Sequence, residues 1–254
     1  MIKEMQRYFI DKNYDGENQF HLKGDAYHHI SHVMRMKVND EFFIVFSEGK
    51  SGVAKIVDIT NEEIIANVVK WEDENKEMPV KVTIASGLPK GDKLELIIQK
   101  GTELGAFQFV PFIADRSIVK WEPKKEKKKL ERWQKIALEA AEQAHRQYIP
   151  KVTAPLSLKK LLEYSQPFDH KLVAFEESAK LGETSNFVKK LNEFNAGETV
   201  LIVFGPEGGL TNDEVKQMEE SGFCICGLGP RILRTETAPL YALSAISYQL
   251  ELMR

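Results

Sequence analysis

The sequence is poor in the features that mark secreted, membrane-spanning or metal-holding proteins. It has two cysteines in 254 residues, Cys224 and Cys226, separated by one position. On a strand both would face the same way, but a bridge between them would be badly strained. Two thiols with no histidine nearby make a poor zinc site. We read them as small reduced side chains in a cytoplasmic protein. Long apolar runs are missing too: the longest, Phe42–Phe46 and Val200–Phe204, have five residues each, against about 20 for a membrane span. The first residues, Met1-Ile2-Lys3-Glu4-Met5-Gln6-Arg7, are charged and lack the apolar stretch of a secretory signal. There is no excess of one charge: 35 Lys and Arg stand against 38 Asp and Glu, a net of −3. That excludes a uniform polycation wrapped in phosphate, though not a local basic patch. Neither G-x-G-x-x-G after a first strand nor G-x-x-x-x-G-K-[ST] is present. A nucleotide-dependent metabolic enzyme therefore lacks its fingerprint.

What is present is an ordinary globular composition, 43% hydrophobic and 29% charged, long enough for one large domain or two modest ones. The first ~70 residues read as short strands and turns rich in Val, Ile and Phe: Gln6–Ile10, Glu41–Ser47, Val53–Ile59 and Ile64–Trp71. One short helix is expected near Asp25–Met36, and the set suggests a small β-barrel. Glu72–Pro79 is polar and ends in proline, as a linker does. Beyond it strands and helices alternate. Expected strands are Val80–Ser86, Phe107–Ala114, His170–Phe175, Thr199–Phe204 and Phe223–Leu228. Expected helices are Lys93–Glu103, Lys127–Gln147, Leu158–Tyr164, Asn186–Phe194, one opened by Thr211-Asn212-Asp213-Glu214, and a last one from about Pro239 to Met253. The alternation argues a mostly parallel α/β sheet. The expected division is 1–72 and 73–254.

Four clusters could carry chemistry. Phe204-Gly205-Pro206-Glu207-Gly208-Gly209-Leu210 joins an apolar strand to a capped helix, a setting in which backbone N–H groups can approach a ligand. Gly227-Leu228-Gly229-Pro230-Arg231-Ile232-Leu233-Arg234-Thr235-Glu236-Thr237-Ala238-Pro239 repeats the strand-then-glycine pattern with two arginines and two apolar residues in the loop. Two such strand ends suggest one shared pocket. From Lys120 to Lys135 eight Lys and Arg face three Glu, with Trp121 and Trp133 interleaved, a composition suited either to phosphate and base contacts or to a plain solvated helix start. His28-His29-Ile30-Ser31-His32 has no Cys or carboxylate spaced to complete a metal site, and none is expected.

These stretches together resemble the RsmE family of 16S ribosomal RNA methyltransferases in the SPOUT (knotted) superfamily, over nearly the whole chain. The similarity runs through Gln6-Arg7-Tyr8-Phe9, His29-Ile30, Val33-Met34-Arg35, the segment Lys93 to Gly105, Asp115-Arg116-Ser117, Glu139 through Arg146, and both glycine-rich loops. One departure is Ala144-His145, where a small pair ending in glycine would stand. The resemblance implies a PUA-like RNA-binding β-barrel over 1–72, followed over 73–254 by an α/β domain with a trefoil knot. It implies S-adenosylmethionine as cofactor and a homodimer. It also implies a target at N3 of one uridine in 16S rRNA of the small ribosomal subunit. The cofactor would lie against Phe204, Gly205, Gly208, Leu228, Gly229, Ile232, Leu233 and Thr235. Arg234 would hold the uridinate anion, and Glu207 and Glu236 are candidates to accept its proton. Arg7, His29, Arg35, Lys93, Lys100 and Arg116 are candidate RNA contacts. No metal is called for, because a sulfonium is already a good leaving group. In the last helix Leu240, Leu243, Ile246 and Leu250 form one apolar stripe, and Tyr241, Ala245, Tyr248 and Leu252 another. A helix apolar on two sides is buried on two sides. The competing reading is a non-catalytic RNA-binding assembly factor.

Overall fold

The structure of the chain, a computed structural model, describes residues 5–119, 121, 123–176 and 186–253. Lys120 of the basic run and Met1 to Glu4 lie outside them. The chain divides into two compact units, residues 1–77 with 142–148, and residues 78–141 with 149–254.

The first unit is a five-stranded sheet. Its strands are β1 (Arg7–Phe9), β2 (Gln19–Leu22), β3 (Glu41–Val45), β4 (Ser51–Ile59) and β5 (Ile64–Trp71), in the order β1-β3-β4-β5-β2. Residues alternate between core and solvent along β5, so Ile64, Ala66 and Val68 join Phe20, Leu22, Phe42, Ile44, Ala54 and Ile56 inside. The turn between β3 and β4 closes through Phe46 N–H to Lys50 O and Gly49 N–H to Phe46 O. The expected helix is split into α1 (Gly24–His28) and a wider π turn, His29–Val33.

The second unit has a sheet of β6 (Lys81–Gly87), β7 (Gln108–Ile113), β8 (Lys151–Val152), β10 (His170–Ala174), β11 (Thr199–Phe204) and β12 (Cys224–Cys226). The order is β12-β10-β11-β6-β7-β8, with β9 (Leu156–Ser157) also against β7, and every pairing is parallel. Parallel strands need both faces covered, and alternate residues divide between two cores. Val82, Ile84, Val200, Ile202 and Phe204 face one cluster with Leu94, Ile97 and Ile98 of α2 (Lys93–Glu103). Trp133 and Ala137 of α3 (Glu126–Gln143) join it, as do Leu243 and Ile246 of α7 (Thr237–Ser247). Ala85, Val110, Phe112, Val173, Leu201 and Val203 face the other, with Leu161 of α4 (Leu158–Tyr164) and Val215 and Met218 of α6 (Asn212–Glu220). A further helix, α5, is Asn186–Glu193.

Other sequence expectations shift as well, among them the last helix, expected to about Met253, which ends at Ser247 and gives way to a π turn, Tyr248–Leu252. The helix expected through Gln147 stops at Gln143, because His145 adopts a left-handed φ of 54° and residues 142–148 belong to the first unit. Phe223–Leu228 contracts to Cys224–Cys226, since Phe223 closes the preceding helix. Its N–H donates to Met218 O, while Gly222, at φ 87°, donates to Glu219 O. Among the described residues no helix is long and apolar enough to cross a membrane.

Candidate active site

Strands β10, β11 and β12 run in register, with Ala174 beside both Phe204 and Cys226. Their carboxyl ends therefore open on one edge, where ligands bind in open α/β sheets. The loops leaving them enclose a cavity of about 570 Å³. Phe204, Gly205, Gly208, Leu228, Gly229, Ile232, Leu233 and Thr235, the eight residues expected around a cofactor, all line it. Thr235 Oγ1 donates to Gly205 O at 2.7 Å, tying the second glycine-rich loop to the first.

The first loop depends on glycine at two positions. A Cβ on Gly208 would sit 2.9 Å from Arg116 Cβ, and Gly209 has φ 70° while its N–H closes a turn onto Pro206 O. Arg116 then donates to Gly208 O (3.2 Å) and Leu210 O (3.4 Å). Next comes the expected capping box. Thr211 Oγ1 accepts from Glu214 N–H, and the buried Glu214 carboxylate accepts from the N–H groups of Thr211 and Asp115.

The charged residues sort by position. Arg234 and Glu207 line the cavity; Glu236 does not. Lys93, a candidate RNA contact, lines the cavity as well. It donates to Glu207 Oε1 at 2.8 Å and lies 3.5 Å from Glu236 Oε2. Glu207 also accepts from Lys90 N–H. Burial pushes the Glu207 carboxyl up, but the hydrogen bonds from Lys93 and Lys90 outweigh it and hold the group below the usual carboxylate value. The same contact with Glu207 raises the Lys93 ammonium. The paired Glu207 is thus a weakened base. Glu236 Oε2 is buried and accepts no hydrogen bond among the described residues.

Sequence reasoning missed the wall made by Ala174, Phe175 and Glu176, and it gave no role to Arg231, which also lines the cavity. The signal for the first was available. His170–Ala174 ends level with Phe204, and the residues after a parallel strand share the rim of its neighbour.

The other expected RNA contacts scatter. Arg7 is not at the surface: its side chain has 0% exposure, pairs with Glu72 at 2.8 Å and lies over the Phe43 ring. A guanidinium without exposed surface presents no donor to a phosphate, and Arg7 serves the barrel. His29 Nδ1 lies 2.9 Å from Tyr8 Oη and is half-buried. Arg35 is exposed at a left-handed φ of 51°. Lys100, on α2, pairs with Glu103 at 2.7 Å. Among the described residues no group of three or more His, Cys, Asp or Glu is placed to hold a metal.

Comparison with known proteins agrees with this geometry. A family model described as "RNA methyltransferase domain" matches residues 76–247, and one described as "RNA methyltransferase PUA domain" matches residues 22–69. The chain is 52% identical to the ribosomal RNA small subunit methyltransferase E of Bacillus subtilis over 98% of this chain and 99% of that one. It is 36% identical to the Synechocystis protein of the same name over 88% and 71%. The crystal structure of that methyltransferase from Neisseria gonorrhoeae, bound to S-adenosyl methionine, superposes with a TM-score of 0.83 at 29% identity, covering 96% of this chain and 97% of that one. A fold with both sheet faces covered, an expected cofactor pocket at the strand ends and near-complete coverage by such relatives lead to one assignment: the chain belongs to the ribosomal RNA small subunit methyltransferase E family.

Proposed function

We propose that the protein transfers a methyl group from S-adenosylmethionine to N3 of a single uridine in 16S rRNA of the small ribosomal subunit. The observation that carries the reading is the cavity at the ends of β10, β11 and β12, where two glycine-rich loops meet Arg234. The pocket suits an adenosine. Phe204, Leu228, Ile232 and Leu233 provide apolar walls for a ring, and glycine backbone provides polar partners that no side chain obstructs. Support for the cofactor comes also from the gonococcal relative, which is described as bound to it. When bound, the cofactor supplies an electrophilic methyl group on a sulfonium.

The chain's residues have two tasks: to hold the uracil ring with N3 in line, and to make loss of the N3 proton favourable. The Arg234 guanidinium fork matches a carbonyl oxygen that gains negative charge as N3 ionises. Lys93 and Arg116 add positive potential to the same walls, while Glu207 is held as a carboxylate by Lys93. Catalysis in this reading rests on stabilising the uridinate. Glu207 and Glu236 remain the two candidate acceptors for the proton.

The barrel of residues 1–72 is read as an RNA-binding domain, with His29 and Arg35 as its contacts, and Lys93, Lys100 and Arg116 contribute from 73–254. The trefoil knot belongs to the same reading, by resemblance to the family. So does a homodimer. The inner stripe of the last helix is buried, with Leu243 and Ile246 at 0%, whereas Tyr241, Tyr248 and Leu252 are 42%, 56% and 73% exposed. An outward apolar stripe on a helix is what a second copy would cover.

The test is methyl transfer to small subunits from cells lacking the enzyme. Arg234→Ala is expected to lower kcat by about a hundredfold or more, the scale for loss of one charge-stabilising donor, with cofactor affinity retained. Turnover of Arg234→Ala at the wild-type rate overturns the role.

A further inference from the structure

A second cavity, of about 500 Å³, lies in the α/β unit against the start of α3. It shares one stretch of chain with the first: Lys93 lines the active-site cavity, while Pro89, Gly91, Asp92 and Leu94 line this one. Its walls are apolar and flat. Leu88, Leu94 and Trp133 are core residues, and Trp121 stacks on Trp133 with ring centroids 5.6 Å apart and planes at 28°. Trp121 is held in place by its Nε1–H bond to Glu126 Oε2 at 2.8 Å. Four cations line the same space: Lys125, Lys128, Lys129 and Arg132. Two acids oppose them, and one of these, Glu95, is neutralised by Arg132 at 2.6 Å. The remaining charge is a lysine excess over an indole floor. The Lys129 ammonium lies 5.2 Å from the Trp121 ring, and Lys128 is exposed.

Flat apolar surface beneath ammonium groups matches a single-stranded nucleotide, whose base stacks and whose phosphate seeks a cation. An acidic peptide would use the lysines but leave the indole wall without a partner. We propose that this groove receives a nucleotide of the substrate strand flanking the one that reacts, with its base against the Trp121 wall and its phosphates on Lys128 and Lys129. The proposal rests on the RNA-methylation reading for the identity of the strand. The Pro89–Leu94 segment borders both cavities, through Lys93 in the first and Pro89, Gly91, Asp92 and Leu94 in the second.

The experiment measures binding of wild-type protein and variants to small ribosomal subunits lacking the methyl group, over a series of salt concentrations, and separately measures S-adenosylmethionine affinity by calorimetry. Lys128→Gln with Lys129→Gln is expected to weaken subunit binding about tenfold and to flatten the slope of log K against log salt by about 1.4, roughly 0.7 per lysine for a single strand. Trp121→Ala is expected to weaken binding about tenfold, and Trp121→Phe to restore most of it. Cofactor affinity is expected at the wild-type value throughout. The lysine pair lies in the first turn of α3, with Lys128 exposed and Lys129 half-buried, so its result stands even if Trp121→Ala unfolds. Wild-type subunit affinity and salt slope in the lysine variant overturn the assignment, as does a matching loss of cofactor affinity. Competition by polyglutamate as effective as that by single-stranded RNA of equal charge also overturns it, in favour of an acidic protein partner. If wild-type protein binds subunits through Lys128 and Lys129 but transfers no methyl group, the activity reading falls and the groove stands. If it methylates with the lysine variant unimpaired, the reverse holds.

Discussion

Lys93 shows how position changes the meaning of a residue. In the sequence it is one cation among many. In the fold it is the counter-ion of Glu207, 114 residues away, and a neighbour of Glu236. Because the Glu207 carboxyl is held below its usual value, the pairing is intact above the ordinary carboxylate range and is lost only as pH falls through the depressed value. Lys93→Met removes the hold, and the Glu207 carboxyl is expected to rise. The acid limb of the kcat/KM profile for methyl transfer should then move to higher pH. An unmoved limb would show that Glu207 ionisation does not matter to the reaction. A second residue-scale expectation concerns Arg146, which is 3% exposed and grips Glu77 through Nε and Nη2. Arg146→Ala leaves the part-buried Glu77 carboxylate without its cation and is expected to cost about 3 kcal/mol in urea unfolding. The preceding His145 takes a left-handed φ of 54°, the conformation that glycine adopts freely.

At the scale of elements, local chemistry was legible where it was strong. Leu158–Tyr164 and Thr199–Phe204 match expectation residue for residue, and the box Thr211-Asn212-Asp213-Glu214 opens α6 as read. That box also anchors the first glycine-rich loop, because Glu214 reaches Asp115 as well as Thr211. Thr211→Ala is expected to cost about 1 kcal/mol. Glu214→Ala should cost more, about 2–3 kcal/mol, by leaving two donors without their acceptor. Equal shifts of the denaturation midpoint for the two variants would show that the Asp115 contact contributes nothing. The elements that escaped the sequence reading are β2, β8 and β9, of two to four residues. Their pairing partners, β5 and β7, are distant in the chain, and so short a segment has no periodicity to read. Pro111 in β7 was equally opaque. A proline there lacks a donor for the ladder, and it falls in the gap between the β8 pairing at Gln108–Phe109 and the β9 pairing at Phe112–Ile113.

For the whole molecule, the net charge of −3 averages unlike regions. Residues 1–72 carry −3 and residues 154–254 carry −4, whereas residues 81–153 carry +6. RNA affinity is accordingly expected to be local to the positive region and to fall steeply with salt. The apolar outer stripe of the last helix bears on assembly. Sedimentation is expected to give twice the 29.0 kDa chain mass, and Tyr248→Glu to shift the population toward single chains. A wild-type protein that sediments as a single chain would remove the dimer from the proposed function.

By itself the sequence determined the class of each unit, most helices and strands of the α/β unit, the two glycine-rich loops and, through their resemblance to a family, the expected cofactor site. These are carried by residues near one another in the chain: apolar periodicity, caps and glycines act over a turn or a strand. The tertiary structure decided which charged groups line the cavity. It buried Arg7, drew Lys93 into the cavity, bound Glu207 to it, and set Glu236 against Lys93 but off the cavity lining. It also returned residues 142–148 to the first unit and opened a second cavity bordered by the same Pro89–Leu94 stretch as the first. The physical reason is that parallel pairing joins segments far apart in the chain, so ion pairs and cavities at strand ends exist only once the sheet has closed.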